Sequence, residues 1–315
     1  MIKLIKKEIK TIIIVLVLAA VFISFAPLSD NNYYLIGLLT SACLSATFVV
    51  CWDLLNGYTG MLNFGQLLFA GVAGYTCALL ETNFSIPRPV IMLAALFAGT
   101  LSSLLLGLPS LRVKSSYFGL ISFVLPLVFM KITMTFIGVF GGDFGISVPR
   151  AFSRESLYFA SIAILAIVVI SFKILTRSRV GIALRCIMGD EDTARAVGIS
   201  VPKYKLVACL ISAFFTSLAG ICLFYSLGHI GPEIFGMNGS FNIAIMGILG
   251  GTGTIFGAAL GGAFLSILME FMRPIAEYRV IVYAVLLVFV VMLLPKGLWG
   301  GLTSLFHNVF VKLKK

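Results

Sequence analysis

The 315 residues are 60% hydrophobic and only 11% charged, with a mean hydropathy of +1.10 and a formal net charge of +11. A soluble protein of this length has no way to bury so much apolar surface, so the bilayer is the solvent in which this chain is stable. The basic excess falls on alternate loops, the pattern of membrane orientation and lipid attraction rather than of nucleic-acid binding.

In chain order, Lys3, Lys6, Lys7 and Lys10 precede an apolar run over 11–26 that imitates a secretory signal. No small-x-small cleavage site follows and Pro27 interrupts the run, so it is read as an uncleaved first span. Further spans are predicted over 33–52, 61–80, 89–108, 117–137, 157–174, 206–228, 240–250, 255–272 and 279–294. The reading is an all-α polytopic membrane protein of about ten transmembrane helices, residues 1–315 forming a single transmembrane domain. Ten spans divide into two sets of five, and an odd number per set would make related halves inverted; the residues themselves show no convincing self-similarity.

The stretch 56–74, NGYTGMLNFGQLLFAGVAG, is punctuated by glycines and is expected to be broken or closely packed. Asn63 and Gln66 stand at i and i+3 in it, on one helical face. Both would be costly against lipid, which leaves two arrangements open: lining a translocation path, or a packed interhelical hydrogen bond. Lys131, in the span after Pro126, is expected to snorkel to an interface. The loop 141–145, GGDFG, is an external turn or part of a pathway mouth. The later run GGTGTIFG lacks the Lys-Ser or Lys-Thr of a phosphate loop, so no ATP site is expected. In 247–262, Gly253, Gly257 and Gly261 recur every four residues, which favours close helix packing.

The long polar loop 176–205 encodes a short helix near 191–197. Asp190 is a cap, Glu191 and Asp192 suit the positive end of the helix, and Gly198 offers a left-handed stop. Its apolar face would be Ala194 and Val197. Too short to be stable alone, it must pack on the membrane, on its own spans or on a separate cytoplasmic subunit.

Charge placement tests this division. With the amino terminus inside, seventeen of the 23 basic residues fall on the cytoplasmic side, five in external loops (Arg88, Arg150, Arg154, Arg273 and Arg279), and Lys131 within a span. Both termini are therefore expected in the cytoplasm. The six cysteines have no disulfide or zinc spacing, and His229 and His307 have no nearby ligand-type partners, so no metal site is predicted. No cluster of nucleophile, base or metal ligands is readable, so no catalytic residue is expected. An ion-coupled carrier would want acidic residues in mid-span, whereas Asp53 and Glu270 lie near span ends.

Several blocks together carry a resemblance: GYTGMLNFGQLLFAGVAGYTCALL at 57–80, YFGLISFVLP at 117–126, GGDFGIS at 141–147, SRVGIALRCIMGDEDTARAVGISVPKYKLVACLISAFFTSLAGICLFYSLGHIGP at 178–232, and ILGGTGTIFGAALGG at 248–262. The chain resembles the LivM-type permease subunits of branched-chain amino-acid importers driven by ATP-binding-cassette ATPases. That resemblance implies a prokaryotic cytoplasmic membrane, a second permease subunit, two cytoplasmic ATP-binding subunits that hold the ATP, and an extracytoplasmic amino-acid-binding protein. It makes Tyr58, Thr59, Asn63, Gln66 and Ser122 candidates for the translocation path. It makes Asp190, Glu191, Asp192, Ala194, Arg195, Val197 and Gly198 the helix that couples to the ATPase. Gln66 stands near where the family commonly has histidine, and Pro126 and Lys131 stand in a span that commonly carries glutamate or glutamine. Relatives of this architecture move urea, short amides, sugars or nucleosides.

Overall fold

The structure, a computed structural model, describes residues 33–110 and 115–272, together with 297, 299 and 300. The expected spans 11–26 and 279–294, both termini and His307 lie outside the described residues. The described helices are α1 (Tyr33–Thr59), α2 (Gln66–Asn83), α3 (Arg88–Ser110), α4 (Ser115–Thr135), α5 (Ile137–Phe140), α6 (Arg154–Arg177), α7 (Arg179–Gly189), α8 (Glu191–Ala196), α9 (Val201–Leu227), α10 (Met237–Gly250) and α11 (Ile255–Phe271). Five of them, α1, α3, α4, α6 and α9, are long and apolar enough to cross a membrane. Helix α10 covers the expected 240–250 segment, but its 14 residues rise only about 21 Å, short of the roughly 30 Å hydrocarbon core.

Helix α1 is central. It packs against α6, α9, α10 and α11, and burial on nearly every side explains why its sequence has no polar stripe. Three of its threonines are satisfied within the helix: Thr40, Thr47 and Thr59 donate to the carbonyls of Ile36, Cys43 and Leu55, four residues back. Helix α9 is the second organiser, packed on α1, α2 and α3. Pro202 sits in its first turn, where a missing N–H costs nothing, and Gly228 closes it with φ +67° and a bond from its N–H to Phe224 O. By contrast, α3 exposes Leu93, Phe97, Leu101 and Leu105, and α4 exposes Leu120, Val124 and Val128, ridges at four-residue spacing that lipid would cover.

The helix ends sort into two sets. At one end the terminus of α1 meets α7, with Met188 beside Gly60; Asp53 holds the turn before α11; and Gly107 of α3 approaches Leu206 and Cys209 of α9. At the other, Tyr34 of α1 donates to Glu270 of α11, Tyr225 of α9 donates to Glu81 of α2, and Arg154 of α6 lies over the Tyr33 ring. The basic loop 176–205 is at the first end, while Arg88, Arg150 and Arg154 are at the second, so loops assigned to opposite sides from charge alone are at opposite ends of the bundle.

One small sheet was not expected. Ile146 and Ser147 (β1) pair antiparallel with His229 and Ile230 (β2), with Ile146 opposite Ile230 and Ser147 opposite His229. It ties the GGDFG loop to the end of α9. At Gly145, φ +62°, a β-carbon would strike the Ile230 carbonyl oxygen, which is why this loop needs glycine.

Candidate functional site

The site is built at the break between α1 and α2. Gly60, at φ +70°, ends α1, and the chain runs without helix to Gln66, the first residue of α2. Asn63 therefore precedes the helix, and the expectation that it shares a helical face with Gln66 is corrected. The pair meets by another route. Asn63 Oδ1 accepts the Gly65 N–H at 2.8 Å, a local turn that asparagine favours, and this aims its Nδ2 at Gln66 Oε1, also 2.8 Å away. Gln66 Nε2 in turn donates to Ser212 Oγ at 3.0 Å and to Thr216 Oγ1, both on α9. Ser212 donates to Cys51 O at 2.8 Å, and the Asn63 carbonyl accepts from Trp52 Nε1 at 2.7 Å, so α1, α2 and α9 share one polar knot. Asn63 and Gln66 are each 1% exposed. In this conformation their polar atoms are occupied by the chain itself.

Ser122 of α4 belongs to the same region: it is buried, accepts the Phe64 N–H at 3.0 Å and donates to Gly119 O at 2.9 Å. Tyr58 and Thr59 do not join the knot. They close the last turn of α1, where the Arg185 guanidinium of α7 lies 5.4 Å from the centre of the Tyr58 ring. Sequence reasoning missed Ser212 and Thr216. Two hydroxyl residues one turn apart in an apolar helix were the available signal. It also set Asp53 aside as a span-end residue. Asp53 is 1% exposed; its Oδ1 accepts the Gly253 N–H at 2.7 Å, while Oδ2 has no hydrogen-bond partner among the described residues. A side chain at Gly57 would strike both the Asp53 carboxylate and the Gly253 amide, so two glycines, 57 and 253, let the backbones of α1 and the α10–α11 turn touch.

The polar loop holds two helices rather than one. Helix α7, unforeseen, buries Gly181, Ala183, Leu184 and Ile187. Helix α8 follows the expectation closely. Thr193 N–H donates to Asp190 Oδ1 at 2.5 Å as the cap; Gly198 turns left-handed at φ +86°; and Ile199 N–H returns to Ala194 O at 3.0 Å. Its faces differ from the expectation. Ala194 is 2% exposed and packs with Ile187 and Val201, whereas Val197 is 70% exposed. Val197 is the closing residue of α8, so its side chain leaves the helix face that Ala194 occupies. Glu191 accepts from Lys205 Nζ of α9 at 2.7 Å, and Arg195 bridges Asp192 at 3.0 Å and Glu191 at 3.5 Å.

At the opposite end, Asp143 and Phe144 are exposed on the GGDFG turn, and Ser147 Oγ lies 3.0 Å from His229 Nδ1 across the small sheet. Lys131 is exposed near the end of α4.

The family model described as the permease component of the branched-chain amino acid transport system matches residues 34–294. The high-affinity branched-chain amino acid transport system permease protein LivM of Escherichia coli K12 is 27% identical over 300 residues, covering 83% of this chain and 70% of that protein. Its Salmonella typhimurium counterpart is 26% identical over 273 residues, covering 77% of this chain. The match spans 64% of the length of the Salmonella protein. The high-affinity branched-chain amino acid transport system permease protein LivH of Escherichia coli K12 is 33% identical over 127 residues, 39% of this chain and 40% of that protein.

Proposed function

The chain belongs to the family of permease components of branched-chain amino acid transport systems, and from that premise we propose that it forms part of the membrane pathway of an ATP-driven importer of leucine, isoleucine and valine. The observation that carries the reading is the extent of the family match, which takes in the broken α1–α2 segment, the capped α8 and the glycine turn before α11. Its partners on this reading are a second permease subunit, two cytoplasmic ATP-binding subunits and an extracytoplasmic amino-acid-binding protein. Partial likeness to the LivH protein as well as to LivM proteins supports a pair of related permeases.

The end carrying the basic loop faces the cytoplasm, with both termini on that side, and the GGDFG turn faces out. Residues 1–315 form one transmembrane domain of ten spans in two inverted sets of five. ATP is bound and hydrolysed by the partners, and this chain supplies the path and the contact that is pushed. The face of α8 carrying Val197, Arg195 and Asp192 docks on the ATPase. The knot of Asn63, Gln66, Ser212 and Thr216 is the closed form of the pathway; ligand passage requires the amides of Asn63 and Gln66 to exchange their partners on α9 for the substrate or water. Tyr58, Thr59 and Ser122 border that opening.

The test is uptake of labelled leucine into proteoliposomes holding all subunits. ATP-dependent uptake that disappears when this chain is omitted, and that valine and isoleucine compete for while urea does not, is the expected result. Uptake driven by this chain alone would overturn the subunit reading.

A further inference from the structure

Lys205 stands two turns below the knot, yet its side chain is only 2% exposed. An ammonium group in such a place is tolerated only with a partner, and Glu191 Oε1 supplies one at 2.7 Å. Glu191 is the first residue of α8, which at six residues cannot hold itself together. Two contacts among the described residues hold α8 against its neighbours: the apolar one of Ala194 with Ile187 and Val201, and this ion pair. The Arg195 bridges, half exposed to water, add little by comparison.

Along α9, Lys205, Ala208, Ser212 and Thr216 recur at helical spacing and are all buried, Lys205 against Glu191 of α8 and Ser212 and Thr216 against α1 and α2. From Lys205 to Ser212 is about 10 Å of helix axis. No proline or glycine interrupts residues 205–216, and the Thr216 back-bond to the Ser212 carbonyl falls at the knot itself, so the stretch from Lys205 to Ser212 carries no proline or glycine kink.

We propose that the Lys205–Glu191 ion pair clamps α8 to α9, so that a displacement imposed on α8 is delivered along α9 to the knot of Gln66, Ser212 and Thr216. This rests on the coupling role proposed above for α8. Lys205 is then a positioning residue, touching neither substrate nor ATPase. Its loss leaves α8 able to meet the ATPase but unable to move the pathway.

The experiment uses the complete complex with its ATPases and binding protein in proteoliposomes, comparing Lys205→Met, Lys205→Arg and the exchanged pair Lys205→Glu with Glu191→Lys. Leucine moved per ATP hydrolysed is measured beside the ATP-dependent change in maleimide labelling of Leu62→Cys, with native cysteines removed. Lys205→Met is expected to lower the transport-to-hydrolysis ratio about tenfold, within the usual range of site-to-site coupling, and to abolish the labelling change. Lys205→Arg and the exchanged pair should recover most of both. An unchanged ratio in Lys205→Met at normal abundance overturns the clamp. So does an exchanged pair that accumulates normally yet stays uncoupled, which keeps the test alive if Lys205→Met fails to fold. Val197→Glu, run in parallel, separates the two ideas: impaired ATPase docking there with intact ratio in Lys205→Met sinks the clamp alone, whereas normal docking and hydrolysis in Val197→Glu removes the coupling reading beneath it.

Discussion

Gln66 shows how one side chain can join two helices and the break between α1 and α2. Its amide accepts from Asn63 and donates to Ser212 and Thr216, so replacing it by leucine strands the buried Asn63 amide N–H and takes a donor from two hydroxyls that still donate to the Cys51 and Ser212 carbonyls. The stranded N–H costs about 1–3 kcal/mol, and the two weakened hydroxyls relax with it rather than adding independently. Gln66→Leu should therefore lower the thermal midpoint of the purified protein and its leucine uptake, while Gln66→Glu, which keeps an acceptor for Asn63 but loses the donor to α9, should fall between. A melting curve for Gln66→Leu that overlays the parent would deny the knot a structural role. The sequence made Asn63 and Gln66 legible, because amides amid apolar residues stand out. It did not reveal Ser212 and Thr216, whose hydroxyls are common in membrane helices and usually bond their own backbone. Nor did it reveal Asp53, whose burial depends on a glycine turn two hundred residues away in the chain.

Among the elements, α8 was the most readable, since caps are local chemistry: Asp190, Glu191 and Gly198 mark its limits in any context. Its faces were not, because six residues make less than two turns and Val197 falls just past them, at the cap. Helix α7 escaped notice behind its arginines, although Ala183, Leu184 and Ile187 have helical spacing. Two-residue strands have no periodicity to read at all. The faces make a prediction opposite in kind for two neighbours. Ala194→Glu drives a carboxylate into the contact with Ile187 and Val201 and should reduce abundance or local order by proteolysis. Val197→Glu, on the exposed side, should leave abundance unchanged and weaken co-purification with the ATPase. Asp190→Ala should cost about 1 kcal/mol of local stability, between the two in effect.

For the molecule as a whole, the alternation of more and less basic loops already separated the loops that lie at opposite ends of the bundle, because insertion follows the same lysines and arginines. Helix packing was not contained in it, since lipid-facing and helix-facing positions are equally apolar. Cys186 on α7 is the exposed one of six free cysteines and offers a direct reading of orientation. A membrane-impermeant maleimide should label it in inside-out vesicles and not in intact cells. Labelling from the outside of intact cells would invert the topology.

Helix α1 meets α11 and the turn before it at three heights: Tyr34 with Glu270, Ala46 against Gly262, and Asp53 with Gly253. Two rods joined top, middle and bottom behave as a rigid panel, and glycine at 262 brings the middle joint to backbone contact. Such a panel is a door frame and not a door. Whatever swings to admit a substrate must be hung on its far edges, by α2, α3 and α9, and a covalent staple across α1 and α11 would leave it free to swing.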